Sequence, residues 1–208
     1  MKLNLGSSRQ KGIYKAVEWV CVDLYMEGRP NVQASGFMLP FADNTFEEVR
    51  SIHVLEHLSR DQWPFMLAEM YRTLKVGGTF YVEVPDFPAQ CEQYLRRLAE
   101  NTTQELTRGE PVSGPVSIHM SRTGIWGKSE RPGMGHQFGF DRDLLARALY
   151  KTGFQEVYRL TAVEDMISLH YRNDDPVLLF KATKVADPLD IVDLKSLSFD
   201  ELRTHLLI

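Results

Sequence analysis

The chain is poor in the features that announce a function directly. Two cysteines, Cys21 and Cys91, are too few for a disulfide framework or a self-sufficient metal site. Both are expected to be plain thiols in a reducing cytoplasm. There is no excess of basic residues: the net charge of −4 leaves no general footprint for a nucleic-acid backbone. No apolar run reaches the roughly 20 residues that span a bilayer, and the N-terminus has no signal-peptide apolar core. Internal repeats and low-complexity tracts are lacking as well. These absences exclude an extracellular disulfide scaffold, a membrane span and nucleic-acid binding by bulk charge, and they predict a cytoplasmic protein.

What is present is an alternation of short strands and helices. With 208 residues, 43% of them hydrophobic and 25% charged, one core of moderate size is expected. "KLNL" reads as a first strand and the nearly continuous apolar run "VEWVCVDL" as a second; "NVQA" is a weak third and "EEVRSIHV" a fourth. A helix is predicted from Asp61 to Lys75, stopped by Gly77-Gly78, before the strand "TFYVEV". "DRDLLARALYKTGF" predicts a helix capped by Asp141 and stopped at Gly153, and "QEVYRLT" and "PVLLFKATK" predict two final strands. Such alternation predicts a mostly parallel sheet with helices on both faces, whose ligands bind at the C-terminal strand ends. Those ends carry Gly6-Ser7-Ser8, Asp23, Ser35, His53 and Asp86.

Residues 87–137 behave differently. A predicted helix, "PAQCEQYLRRLAENT", runs into a glycine- and proline-rich stretch that carries His119, Trp126 and His136. A long irregular insertion of this kind suits a lid or a substrate-facing segment. Residues 1–186 are expected to form the single domain, and residues 187–208 a helical tail whose amphipathic "SFDELRTHLLI" could pack on the body or pair two subunits.

Several blocks of the chain resemble class I S-adenosylmethionine-dependent methyltransferases, and more narrowly the small bacterial type 11-like group with a shortened first crossover. "LNLGSS" is similar to the first-strand glycine motif, with Ser8 in place of a second glycine, and "VCVDL" to the second strand with its ribose-holding acid. "LPFADNTFEEVRSIHVLEHL" followed by "MLAEMYRTLKVGGTFYVEVPDF" is the most specific match, and "HQFGFDRDLLARALYKTGF" resembles the helix before the last strands. The resemblance implies a Rossmann-like α/β fold with a seven-stranded sheet and S-adenosyl-L-methionine as cofactor. It implies a cofactor site built from Asn4, Gly6, Ser7, Ser8, Asp23, Leu24, Ser35, Gly36, Phe37, Ser51, Ile52 and His53. It further implies transfer of a methyl group, at oxygen, to a small-molecule or glycan-like acceptor.

The residue types fit those roles physically. Asp23 offers two acceptors to vicinal hydroxyls, and Gly6 has no Cβ to obstruct a close approach. Ser35 stands where the family often has an acid and offers one weaker contact, with Phe37 or Met38 available to cover an adenine face. Arg9 or Lys11 could add a charge-assisted contact, and Arg122, Lys128 and Arg131 make the insertion locally basic. His136 is the first candidate for a general base, Asp86 the second and His119 the third. "HVLEH" spells the His-x-x-Glu-His of an inverted zinc protease, but that chemistry needs both histidines on one continuous helix. Here "EEVRSI" leads in as a strand, so His53 should end it. No metal ligand set is predicted, although some related methyltransferases place a divalent ion near the equivalent acids, an arrangement that Glu56 and His57 would permit. A nicotinamide-dependent enzyme is disfavoured, because "LGSSRQKG" lacks Gly-x-Gly-x-x-Gly. Ser8 and Ser35 keep open a non-catalytic relative that acts as a binding partner.

Overall fold

The N-terminal strand lies near the middle of a seven-stranded sheet. The computed structural model describes residues 1–7, 18–25, 30–108, 125–127, 135–161 and 176–185. Ser8, Arg9, Lys11, His119, Arg122, Lys128, Arg131 and the tail 187–208 lie outside those residues, so the tail's expected pairing role does too.

The strands are β1 (Lys2–Leu5), β2 (Trp19–Asp23), β3 (Val32–Gln33), β4 (Phe46–Ile52), β5 (Leu74–Pro85), β6 (Gln155–Leu160) and β7 (Val177–Thr183). Their spatial order is β3-β2-β1-β4-β5-β7-β6. β1 to β5 run parallel, with Leu5 opposite both Val22 and Ser51. β7 runs antiparallel to both β5 and β6, so the sheet is mixed rather than uniformly parallel.

Three α-helices accompany the sheet among the described residues: α1 (Trp63–Thr73), α2 (Phe87–Arg108) and α3 (Arg142–Thr152). α1 and α3 pack on one face. Leu3, Leu5, Val49, Phe80, Val82 and Phe180 of the strands meet Trp63, Met66, Leu67 and Met70 of α1 and Leu145, Ala148 and Leu149 of α3. The side chains that alternate with them point to the other face, where Ile52 and Leu179 form a smaller cluster with Tyr81 and Leu160. On that face the Arg50 guanidinium lies 4.7 Å from the Trp19 ring centroid. The prediction of helices on both faces is therefore met, in the packing of α1 and α3, on one.

α3 begins and ends where its caps predict. The Asp141 carboxylate accepts from Leu144 N at 2.7 Å, and Gly153 takes φ 107° while its N–H donates to the Leu149 and Tyr150 carbonyls. α1 is shorter than predicted and does not reach the glycine pair. It ends at Thr73, whose hydroxyl bonds back to the Glu69 carbonyl at 2.8 Å, and the fully buried Leu74 already belongs to β5. Gly77 and Gly78 lie inside β5. A Cβ on Gly78 would stand 2.4 Å from Leu74 Cδ2, so the glycine serves packing rather than helix termination. Cys21 is a buried thiol and Cys91 a half-buried one.

Candidate active site

Parallel pairing brings the C-terminal ends of β1, β2 and β4 to one edge of the sheet. Gly6 closes β1 with φ 73°, and its N–H and that of Ser7 both donate to the Val22 carbonyl, at 2.8 and 3.2 Å. A Cβ on Gly6 would lie 2.2 Å from Val54 Cγ2, so the turn tolerates only glycine on two counts. Ser7 and Ser51 are fully buried, and their hydroxyls have no hydrogen-bond partner among the described residues. Asn4 is equally buried and its amide equally unpartnered, but it alternates with Leu3 and Leu5 and faces the other side.

Asp23 sits at the end of β2, where its Oδ1 accepts from Tyr25 N at 2.9 Å. The neighbouring Leu24 is exposed, and its carbonyl accepts from Gln33 Nε2. Ser35 Oγ accepts from Phe37 N at 3.3 Å, closing its own turn. Gly36 lies against Leu5 and Met66, Phe37 packs on the main core, and Met38 is 79% exposed.

A buried charged group follows β4. His53 directly follows the end of β4, in line with the expectation, and takes φ 54°; the next residues form a 3-10 turn, Leu55–His57, rather than a continuous helix. The zinc-protease arrangement is thereby excluded. His53 Nδ1 lies 2.8 Å from Glu56 Oε1, and Nε2 lies 3.1 Å from Glu83 Oε1. Burial alone would lower the His53 pKa, but the Glu56 and Glu83 carboxylates outweigh it and raise it to about 9. Burial pushes the Glu56 carboxyl up, yet the His53 cation outweighs this and holds it below the ordinary carboxylate range. The second Glu56 oxygen, Oε2, is buried without a hydrogen-bond partner among the described residues.

His136 is carried to this turn by the backbone of its own neighbours. Gln137 N and Phe138 N both donate to the Glu56 carbonyl, at 2.7 and 3.2 Å, and Gln137 Nε2 donates to the His57 carbonyl at 2.9 Å. The His136 and His57 rings meet edge to face with centroids 5.0 Å apart. His57 Nδ1 lies 3.2 Å from the Gly135 carbonyl and His136 Nδ1 lies 3.1 Å from the Ile125 carbonyl. A carbonyl only accepts, so each Nδ1 carries a proton, and in the neutral ring the lone pair lies on Nε2. Burial holds the His136 pKa below the usual imidazole range, although Glu56 pulls it the other way.

Asp86 stands apart in a different set of contacts. It caps the start of α2, with Oδ1 accepting from Ala89 N at 3.3 Å, and its Oδ2 lies 3.5 Å from Arg159 Nη2. Together with Asp141, Arg142, Arg147 and Arg159 it lines an open cavity of about 570 Å³. The grouping of Glu56, His57 and His136 is what sequence reading missed. "HVLEH" spelled two of its members, but nothing local tied them to His136.

This strand order is that of the class I methyltransferase fold. Residues 14–82 match the family model of a methyltransferase domain. The chain is similar to a solved S-adenosylmethionine-dependent methyltransferase from Archaeoglobus fulgidus, at 16% identity and TM-score 0.54, over 88% of this chain and 85% of that one. A Thermotoga maritima protein described as a possible histamine N-methyltransferase aligns at 16% identity and TM-score 0.51, over 88% and 81% of the two chains. The Burkholderia thailandensis 1,6-didemethyltoxoflavin-N1-methyltransferase, solved with bound 1,6-didemethyltoxoflavin and S-adenosylhomocysteine, aligns at 15% identity and TM-score 0.51, over 89% and 71%. No curated protein matches the sequence.

Proposed function

We propose that this chain transfers a methyl group from S-adenosylmethionine to a hydroxyl oxygen of a small-molecule or glycan-like acceptor. The observation that carries the oxygen assignment is the His136 imidazole, neutral and with a free-standing Nε2 lone pair beside Glu56 and His57. A hydroxyl acceptor must lose a proton, and a neutral imidazole at a sheet edge is suited to take it.

The buried, unpartnered Ser7 and Ser51 hydroxyls and the glycine-only turn at Gly6 fit a polar cofactor at the strand ends. Asp23 would hold the ribose hydroxyls, the Gly6-Ser7 turn would face the amino-acid end, and Ser35 with Phe37 would face the adenine. When bound, the cofactor supplies a methyl group made electrophilic by a sulfonium. The chain's own part is alignment and proton handling. Asp86 and the three arginines of the open cavity would orient a hydroxylated or anionic acceptor.

A second reading, a non-catalytic relative, draws on Asp23 and Ser35, whose oxygens already accept from their own turns. Calorimetric titration with S-adenosylhomocysteine separates the two. The enzyme reading expects a Kd in about the micromolar range, weakened roughly tenfold or more in Asp23→Ala. Absence of binding at millimolar ligand, with the fold intact by circular dichroism, would establish the non-catalytic reading.

A further inference from the structure

We infer that the open cavity between α3 and β6 is a phosphate subsite, in which Arg147 and Arg159 hold a phosphate group carried by the acceptor. That the phosphate belongs to the acceptor rests on the methyltransferase reading; phosphate binding by itself does not. The cavity, about 570 Å³, is lined by Arg142, Arg147 and Arg159 and by Asp86, Asp141 and Asp143. Its formal charges cancel, but its hydrogen-bonding capacity does not.

Each carboxylate is already engaged. Asp141 Oδ1 caps α3 by accepting from Leu144 N at 2.7 Å, and Asp86 Oδ1 accepts from Ala89 N at 3.3 Å. Asp143 Oδ1 accepts from Arg142 Nε at 2.8 Å. The guanidiniums are committed far less, although each carries five N–H donors. Among the described residues Arg159 meets only Asp86 Oδ2, at 3.5 Å, and Arg147 makes no hydrogen bond or ion pair. The Arg147 side chain is exposed and that of Arg159 is 49% exposed. Donors are therefore in excess in this cavity, and an oxyanion is the ligand that uses them.

The shape of the donor set favours phosphate over carboxylate. Arg147 comes from α3 and Arg159 from β6, so two guanidinium forks face the cavity from separate elements. A planar carboxylate has one edge of two oxygens and pairs with one fork, whereas a tetrahedral phosphate has three terminal oxygens and serves two.

The cavity also lies on the edge of the sheet where transfer would occur. β5 and β6 both run antiparallel to β7, so they end on the same side, and Asp86 and Arg159 stand at those ends. From His136 the chain reaches Asp141 in five residues, a span of at most about 17 Å when extended. The acceptor that fits is a compact phosphorylated molecule, with its phosphate in the cavity and a hydroxyl within reach of His136.

The test titrates the full chain with inorganic phosphate, glucose 6-phosphate, glucose and glucuronate. The NMR signals of the arginine Nε–H groups report the contact residue by residue, and the melting temperature reports affinity. S-adenosylhomocysteine is titrated in parallel. Both phosphates are expected to bind with a Kd in about the millimolar range and to shift the Arg147 and Arg159 signals. Arg147→Gln and Arg159→Gln should each weaken binding roughly tenfold. Asp143→Asn, which removes a negative charge beside Arg142 and Arg147, should tighten it by about twofold to fivefold, a gain that misfolding cannot mimic. Absence of saturable phosphate binding, or equal binding by the wild type and both folded arginine variants, would overturn the subsite. Glucuronate binding as tightly as glucose 6-phosphate would overturn its assignment to phosphate. Phosphate binding without S-adenosylhomocysteine binding would keep the subsite and remove the acceptor from it; the reverse would keep the methyltransferase reading and remove the subsite.

Discussion

His53 stands between two carboxylates, with Nδ1 2.8 Å from Glu56 and Nε2 3.1 Å from Glu83. It is the hinge between the sheet and the cluster, because its φ of 54° turns the chain out of β4 toward Glu56. A non-glycine residue in that region is held there only by its surroundings, and here those are an ion-paired ring and a backbone bond to the Glu83 carbonyl.

The pH dependence of stability follows from that sandwich. The folded His53 pKa, about 9, lies above the unfolded value of 6.5. Its contribution is therefore complete below pH 6.5 and is lost as pH rises through about 9. Glu56, with its pKa lowered, contributes in the opposite sense: its stabilisation is present above its unfolded value and is lost as pH falls through the folded one. The protein should be most stable between these limits, with a decline on the alkaline side in urea titrations. His53→Gln should flatten that decline; an unchanged alkaline slope would contradict the ion-pair account.

Gly6→Ala should destabilise the protein by roughly 1–3 kcal/mol, from the left-handed backbone and the Val54 methyl together. Pairing it with Val54→Ala should recover the steric part and leave the backbone part. Chemical denaturation of the two single variants and the double variant measures the split.

Arg72 ties the turn that follows Phe37 to α1. Its guanidinium donates to Glu69, Asp43 and the Phe41 and Leu39 carbonyls, and Glu69 in turn accepts from Leu39 N at 2.8 Å. The Glu69 and Asp43 carboxylates raise the Arg72 pKa further above its ordinary value. Arg72→Ala should lower stability by roughly 2–3 kcal/mol. It should also weaken S-adenosylhomocysteine binding at temperatures where the variant is folded, because the loop carrying Ser35 and Phe37 loses its anchor.

Much of the architecture was legible because its signals are local. Asp141 and Gly153 mark both ends of α3, and the run before His53 reads as a strand, which is enough to reject a helical zinc motif. The strand ends Gly6, Asp23 and Ser51 reach one edge by parallel pairing, and the β-α alternation already pointed to that edge. Gly77-Gly78 misled, since a glycine pair after a helical pattern resembles a stop signal. Whether it caps a helix or relieves crowding in a strand depends on what lies beside it, here Leu74.

The sequence by itself determined the periodicities, the caps and the residue types available at each strand end, because those depend on neighbours a few positions away. Only the tertiary structure decided that β7 pairs antiparallel with both β5 and β6. Only it decided that Asp86 caps α2 and faces Arg159. The meeting of His136 with Glu56 and His57 belongs to the same class. It rests on backbone bonds between segments 135–138 and 55–57, and no pattern along the chain records which distant carbonyl an amide will find.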